Sequence, residues 1–197
     1  MRMKFVLLAG AALLLTAPAF AGSVNLCTGQ APNSDVGPSL TVGGITATGW
    51  QGTSTTAMNT ATDMFCKSGG AGETGLGIDS DINGEIGTTN FIQLAGLSGS
   101  VTLNIESVQS GEGFDILGSD GNGILGTTSL SSGSGGLTDS VTVNLGSFKY
   151  LDITATSGNV LLNTVSPTPE PGTYLLMGTG LLMFGFFMRR KFASSSC

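Results

Sequence analysis

Residues 79–85 read Asp-Ser-Asp-Ile-Asn-Gly-Glu, a spacing of side-chain oxygens that suits a hard cation. The pattern matches the first half of an EF-hand calcium loop, where oxygens at alternate positions converge on the ion and the glycine permits a sharp turn. Position twelve of such a loop falls on Asn90, where a bidentate glutamate is expected, and the flanks are rich in glycine. Two interpretations stay open: a solvated acidic turn between strands, or a calcium site with the ligands Asp79, Asp81, Asn83 and Glu85.

The chain has three cysteines and no histidine. The lack of histidine excludes a Ser-His-Asp triad, a Cys-His pair and histidine-bound zinc or haem. In an oxidising compartment Cys27 and Cys66 can pair and close a loop of about forty residues. A reactive thiol is the alternative, but no histidine is available to activate it. We therefore predict a structural disulfide between Cys27 and Cys66.

Two further patterns offer weaker chemistry. Residues 121–126 match Gly-x-Gly-x-x-Gly, but no helix-forming sequence follows them, so a β-turn is the favoured interpretation. Asp115 and Asp120 would have to act as a carboxylate pair for glycoside hydrolysis. The single tryptophan, Trp50, is far from them in sequence, so they have no aromatic platform nearby. We predict a protein that is not an enzyme, with a polysaccharide-acting hydrolase as the second alternative.

The elements that position these residues are short strands. From Leu40 onward apolar and polar residues alternate with period two, most strictly at 101–105 and 141–145, with glycine-rich turns between the segments. This pattern predicts seven or eight strands in a mainly β domain, an antiparallel β-sandwich of jelly-roll-like type. We expect a short helix or irregular loop at 50–65, and a flexible loop at 129–136.

The stretch between residues 22 and 168 is acidic. It holds twelve acidic and two basic residues, so its formal net charge is −10. The phosphates of nucleic acids and anionic membranes need lysine and arginine partners. We therefore expect no nucleic-acid partner for this part of the chain.

Residues 1–21 have the layout of a secretory signal peptide. Two basic residues come first, an apolar run of eleven follows, and small residues then occupy the positions that signal peptidase must fit. The apolar run is too short to span a bilayer. The sequence predicts cleavage by signal peptidase after Ala21, with Ala19 and Ala21 as the small residues and Gly22 as the first residue of the mature chain.

Residues 173–188 form a second apolar segment, without a charge. In a helix these sixteen residues reach roughly 24 Å, close to the hydrocarbon thickness of a bilayer. We predict a single transmembrane helix, preceded by a proline-rich spacer at 167–172 and an exported β-rich domain at 22–166. The tail, 189–197, is predicted to stay cytoplasmic because it begins with a basic cluster: Arg189, Arg190 and Lys191.

Three elements occur in a fixed order near the end of the chain: Pro169-Glu170-Pro171, the short apolar segment, and the basic cluster. Together they closely resemble the PEP-CTERM sorting signal, over residues 167 to 192. The resemblance implies export from a Gram-negative bacterium, a transient membrane anchor, and cleavage near the tripeptide by exosortase, a membrane protease-transpeptidase. It also implies a destination at the cell surface or in the biofilm matrix, in association with exopolysaccharide.

The sequence thus predicts an exosortase-sorted surface or extracellular-matrix protein whose β-domain has a structural or adhesive role. A calcium-dependent carbohydrate-binding domain is the first alternative, and residues 79–85 are the feature that distinguishes it. No cofactor other than calcium is expected.

The signal peptide can be tested directly. N-terminal sequencing of the exported protein is expected to begin at Gly22, because the small residues before it fit the peptidase. A start well before or well after Gly22 would contradict the assignment.

Overall fold

A computed structural model describes residues 22–70, 73–80, 82–168 and 179–180. The predicted signal peptide, the Pro-Glu-Pro tripeptide, the basic cluster and all but two residues of the apolar segment lie outside this described part. Among the described residues, no helix has the length and apolar character needed to cross a bilayer.

The described residues form fourteen strands and one 3₁₀ turn at Ile82–Gly84. The strands in chain order are β1 Val24–Asn25, β2 Ser34–Gly37, β3 Ser39–Val42, β4 Ile45–Gln51, β5 Thr60–Ala61, β6 Met64–Ser68, β7 Thr74–Ile78, β8 Asn90–Ala95, β9 Ser100–Glu106, β10 Gly113–Ser119, β11 Thr128–Ser134, β12 Thr138–Asn144, β13 Tyr150–Ser157 and β14 Leu161–Thr168.

These strands make two seven-stranded antiparallel sheets. The first sheet has the order β12-β9-β14-β7-β6-β2, with β1 paired to β14. The second has the order β11-β10-β13-β8-β4-β3, with β5 paired to β4. Most connections between long strands cross from one sheet to the other, which holds the two layers together. The predicted antiparallel β-sandwich is confirmed, but it has fourteen strands and not the predicted seven or eight.

The core lies between the sheets and follows the alternation seen in the sequence. On β9, Val101, Leu103 and Ile105 are fully buried, whereas the residues between them point outward. The largest buried side chains facing them from the second sheet include Phe114 and Ile92. One apolar and one polar face per sheet is what a period of two produces in a sandwich.

Both ends of the described domain lie side by side. Strand β1 pairs with β14 through Val24 and Val165, so the first strand of the described domain runs alongside its last strand. Strand β14 continues through Pro167 to Thr168, two residues into the segment predicted as a spacer. The first sheet therefore extends to Thr168, the last residue of β14.

Two segments were predicted as something other than strand. Of the two alternatives at 50–65, the helix does not form; an irregular loop at 52–59 joins β4 to β5, and β6 begins at Met64. Residues 129–136 are largely the edge strand β11, not a flexible loop. Its serines and glycine give no apolar pattern, but backbone pairing with β10 needs none, and a Cβ at Gly133 would lie 2.5 Å from the ring of Phe114.

The outer face of the second sheet is covered by a loop. Residues 120–127, the covering loop, fold back over β8 and β13 and bond to two buried side chains there. The amide of Gly123 donates to Gln93 Oε1 at 2.8 Å, and the amide of Gly126 donates to Asp152 Oδ2 at 2.8 Å. Gln93 Nε2 donates to Asp152 Oδ1 at 2.8 Å, which joins the two side chains into one network.

Beneath the same loop lies a second, smaller apolar cluster. Trp50 stacks on Phe91 with ring centroids 6.5 Å apart, and Leu117 and Leu125 complete the group. Gly123 has a φ of 69°, and a Cβ there would lie 2.8 Å from the indole ring, so a larger residue would lift the loop. The tryptophan is 5% exposed and gives the surface no aromatic platform.

Asp152 makes this loop sensitive to pH. Burial raises the pKa of its carboxyl to about 7, although the hydrogen bonds from Gln93 and Gly126 lower it. Since this pKa lies above that of the unfolded chain, the folded state holds the proton more tightly. The contribution of the Asp152 carboxyl to the free energy of unfolding is therefore fully present below about pH 4. It is lost as the pH rises through about 7.

Unfolding by urea between pH 4 and 8 tests this assignment. We expect the free energy of unfolding to fall by up to about 4 kcal/mol across the range through this group. Asp152→Asn is expected to remove that slope, because the amide does not titrate between pH 4 and 8. Asp120→Asn, exposed in the same loop, is the control and keeps the wild-type slope. An unchanged slope in Asp152→Asn would contradict the assignment.

Candidate functional site

The first sheet presents an uncharged polar surface on its outer side. Strands β12, β9, β14 and β1 pair in register, so their outward residues line up in rows across the sheet. We call these ten residues the polar face: Asn25, Ser100, Thr102, Asn104, Ser140, Thr142, Asn144, Thr164, Ser166 and Thr168.

Cross-strand pairing brings these residues together. One row runs from Ser140 through Asn104 and Thr164 to Asn25, across four strands. The next row contains Thr142 and Thr102, whose hydroxyls hydrogen-bond at 2.7 Å. Neighbouring strands lie roughly 4.8 Å apart and alternate residues roughly 6.7 Å apart along a strand. The face is thus a regular array of hydroxyl and amide groups, and none of the ten residues is buried.

The polar face differs in charge from the rest of the domain. All ten side chains are neutral, although the stretch from 22 to 168 has a net charge of −10. The carboxylate next along β9 belongs to Glu106, which is 8% exposed. Its oxygens accept hydrogen bonds from the Asn163 amide and from the backbone N–H of Thr74, the latter at 3.0 Å. Its charge is therefore directed into the structure and away from the face.

An ion-pair cluster lies on the same sheet, over β6 and β7. The ammonium of Lys67 bonds to Glu73 at 2.9 Å and to Glu85, and Ser107 donates to Glu85 at 3.2 Å. Burial lowers the pKa of Lys67, but the hydrogen bonds and charges of Glu85 and Glu73 outweigh burial and raise it above the usual value. The lysine therefore stays charged and forms ion pairs with both carboxylates.

The predicted calcium ligands do not share one environment. Asp79 and Asn83 are exposed, and Asn83 has a φ of 65° in the turn. Glu85 is buried and bonds to Lys67, and Asp81 lies outside the described residues. In the described part of the chain, no group of three or more acidic or cysteine side chains is placed to hold a metal ion. Calcium binding at residues 79–85 stays a prediction.

The structure joins Cys27 and Cys66 in a disulfide with a Cα–Cα distance of 5.6 Å. The bond ties the segment after β1 to β6, beside the edge of the polar face. Of the other predicted site residues, Gly22 is exposed at the start of the described chain. The residues of the sorting and cleavage motifs lie outside the described part: Ala19, Ala21, Pro169, Glu170, Pro171, Arg189, Arg190 and Lys191.

The polar face is not evident from the sequence. The alternation predicts that Thr102, Asn104, Thr142 and Asn144 point outward, which the structure confirms. The alternation does not predict which strands are neighbours. Strands β12, β9, β14 and β1 pair although their residues are up to about 140 positions apart. The available signal is the repeated Thr-x-Asn of β9 and β12, which becomes informative only when the two strands are known to be neighbours.

The described domain is thus an antiparallel β-sandwich, and its uncharged outer face includes residues of the last strand, β14. Residues 167–191 match the family model of the PEP-CTERM protein-sorting motif, so the chain carries this motif. The motif implies export, a C-terminal membrane-anchoring sorting signal and processing by exosortase.

The solved structures that resemble the chain include a crystal structure of the C-terminal CBM6 of LamC, a marine laminarinase from Zobellia galactanivorans. The TM-score is 0.33 at 15% identity, over 60% of this chain and 96% of that one. No curated protein matches the sequence.

The ion-pair cluster yields a stability prediction. Replacing Lys67 by Met leaves Glu85, which is 5% exposed, without its cation, so we expect a loss of about 2–4 kcal/mol in the free energy of unfolding. Lys149→Met, an exposed lysine of the same domain, is the matched control and is expected to change stability by less than about 0.5 kcal/mol. Equal effects of the two substitutions in denaturant titrations would show that the cluster does not stabilise the fold.

Proposed function

We propose that this chain is an exosortase-sorted surface or extracellular-matrix protein whose β-sandwich is a non-catalytic module that adheres to neutral exopolysaccharide through the polar face. The observation that carries the proposal is the ten-residue uncharged array on a domain that is otherwise strongly acidic.

The chemistry of the face suits a neutral sugar polymer. Hydroxyl and amide side chains both donate and accept hydrogen bonds, as sugar hydroxyls do. An array with regular spacing gives repeated contacts to a repeating chain, and each weak contact adds to the others. The acidic remainder of the domain repels anionic polymers, so the same charge pattern selects a neutral one.

The two sheets differ in the outer surface that they offer. The covering loop and Trp50 occupy much of the second sheet, and the ion-pair cluster occupies β6 and β7 of the first. A smaller neutral patch occurs on β3 and β4, where Thr41 and Thr46 hydroxyls lie 2.9 Å apart. The polar face spans four strands and is the wider neutral surface of the described domain.

The buried carboxylates support a role other than catalysis. Asp152, whose pKa of about 7 would suit a general acid, is fully buried beneath the covering loop, and both of its oxygens accept hydrogen bonds. Glu85 and Glu106 are likewise bonded to neighbouring side chains. A substrate would have to displace these contacts to reach any of the three.

Binding to matrix polysaccharide tests the proposal. Polysaccharide extracted from the producing cells is separated by anion exchange into a neutral and an acidic fraction, and the exported protein is sedimented with each. We expect retention by the neutral fraction, and a loss of about tenfold or more in affinity for Thr142→Asp, because a buried charge at the contact costs more than one hydrogen bond. Thr41→Asp, at the equivalent pair on the second sheet, is the matched control and is expected to bind as the wild type does.

Three results would contradict the proposal: binding to neither fraction, binding to the acidic fraction alone, or equal loss in the two aspartate variants. The assay is repeated with a calcium chelator, and binding through the polar face is expected to be unchanged. Binding that disappears with the chelator would favour the calcium-dependent carbohydrate-binding alternative at residues 79–85. Release of shortened sugar chains would favour a hydrolase.

A further inference from the structure

A small cavity lies where the polar face meets the disulfide. Its volume is about 190 Å³, and its wall includes the Cys27–Cys66 bond, Asn25, Thr28 and Thr74. Pockets for drug-sized ligands are larger, roughly 300–1,000 Å³, so this one suits a ligand of the size of one sugar residue.

The cavity is continuous with the polar face through one residue. Asn25 belongs to the row that crosses β12, β9, β14 and β1, and it also lines the cavity. Its amide donates to Asn163 at 3.2 Å and its oxygen accepts the backbone N–H of Cys27 at 2.8 Å, so it is held in place from both sides. A chain lying along this row therefore arrives at the cavity mouth.

The lining chemistry is that of the polar face with one cation added. Thr28, Gln30, Ser68 and Thr74 are neutral and polar. Lys67 also lines the cavity, and its two described partners, Glu73 and Glu85, take two of the three N–H donors of the ammonium. Their carboxylates offset its charge, so the site favours a hydroxyl-bearing neutral ligand over an anion.

Resting on the proposed function, we infer that the cavity holds a single neutral sugar residue at the end or a branch of the polysaccharide chain whose length lies on the polar face. The face supplies many weak contacts to internal residues, and the cavity supplies an open recess for one residue. Binding through the cavity therefore depends on the concentration of ends or branches, whereas binding through the face depends on chain length.

Two variants separate these contributions. Thr28→Trp fills the cavity from its exposed rim, and Ser23→Trp, exposed just before β1, is the matched control. The probes are the intact neutral fraction and short neutral oligosaccharides prepared from it by partial acid hydrolysis, measured by calorimetry with the exported protein. We expect Thr28→Trp to weaken oligosaccharide binding about tenfold, the equivalent of one or two lost hydrogen bonds, with a smaller effect on the intact polymer.

A second variant serves if the tryptophan perturbs folding. Thr74→Val keeps the shape of the side chain and removes its hydroxyl from the cavity wall, and it is expected to weaken oligosaccharide binding in the same direction. If both cavity variants bind oligosaccharides as the wild type does, while Thr142→Asp still weakens polymer binding, the cavity inference is wrong and the proposed function stands. If the wild-type protein binds neither probe, the proposed function itself is wrong, and the cavity inference fails with it.

Discussion

The register of strand β9 determines both the inner, apolar face and the outer, polar face of the first sheet. Val101, Leu103 and Ile105 enter the core, and Thr102 and Asn104 between them form the centre of the polar face. Since the side-chain period of a strand is two, a slip of one residue would expose the apolar set and bury the polar one. Pairing with β12 on one side and β14 on the other fixes the register, so the same hydrogen bonds that close the core also build the outer array.

The distribution of charge follows from this arrangement. The acidic residues with buried side chains are bonded inward, as Glu85 is to Lys67 and Glu106 is to Asn163, and the outer array carries no charge. The acidic remainder of the domain repels anions, and the neutral face leaves one surface able to make hydrogen bonds. Because β14 leads directly to the sorting motif at 167–191, this surface lies on the strand nearest the point of processing.

The sequence predicted the layers of the fold better than its surfaces. Alternation over 101–105 and 141–145 was sufficient to predict β9 and β12, because those strands bury one face only. Strand β11 escaped prediction because an edge strand of serines and glycine is held by its backbone. The polar face, the cavity and the Asp152 network each combine residues that are far apart in the chain, such as Asn25 with Thr164 and Gln93 with Asp152. Their formation depends on strand pairing, which local pattern does not encode. The sorting motif, by contrast, is continuous in sequence and is recognised without any structure.

The most direct test of the account is to locate bound sugar on the folded domain. Backbone amide resonances of the isotopically labelled exported protein would be followed by NMR as oligosaccharides from the neutral fraction are added. If the polar face binds the sugar, the shift changes will be concentrated on β1, β9, β12 and β14, and at the adjoining cavity around Thr28. Changes confined to the covering loop or to residues 79–89, with the polar face unaffected, would contradict it.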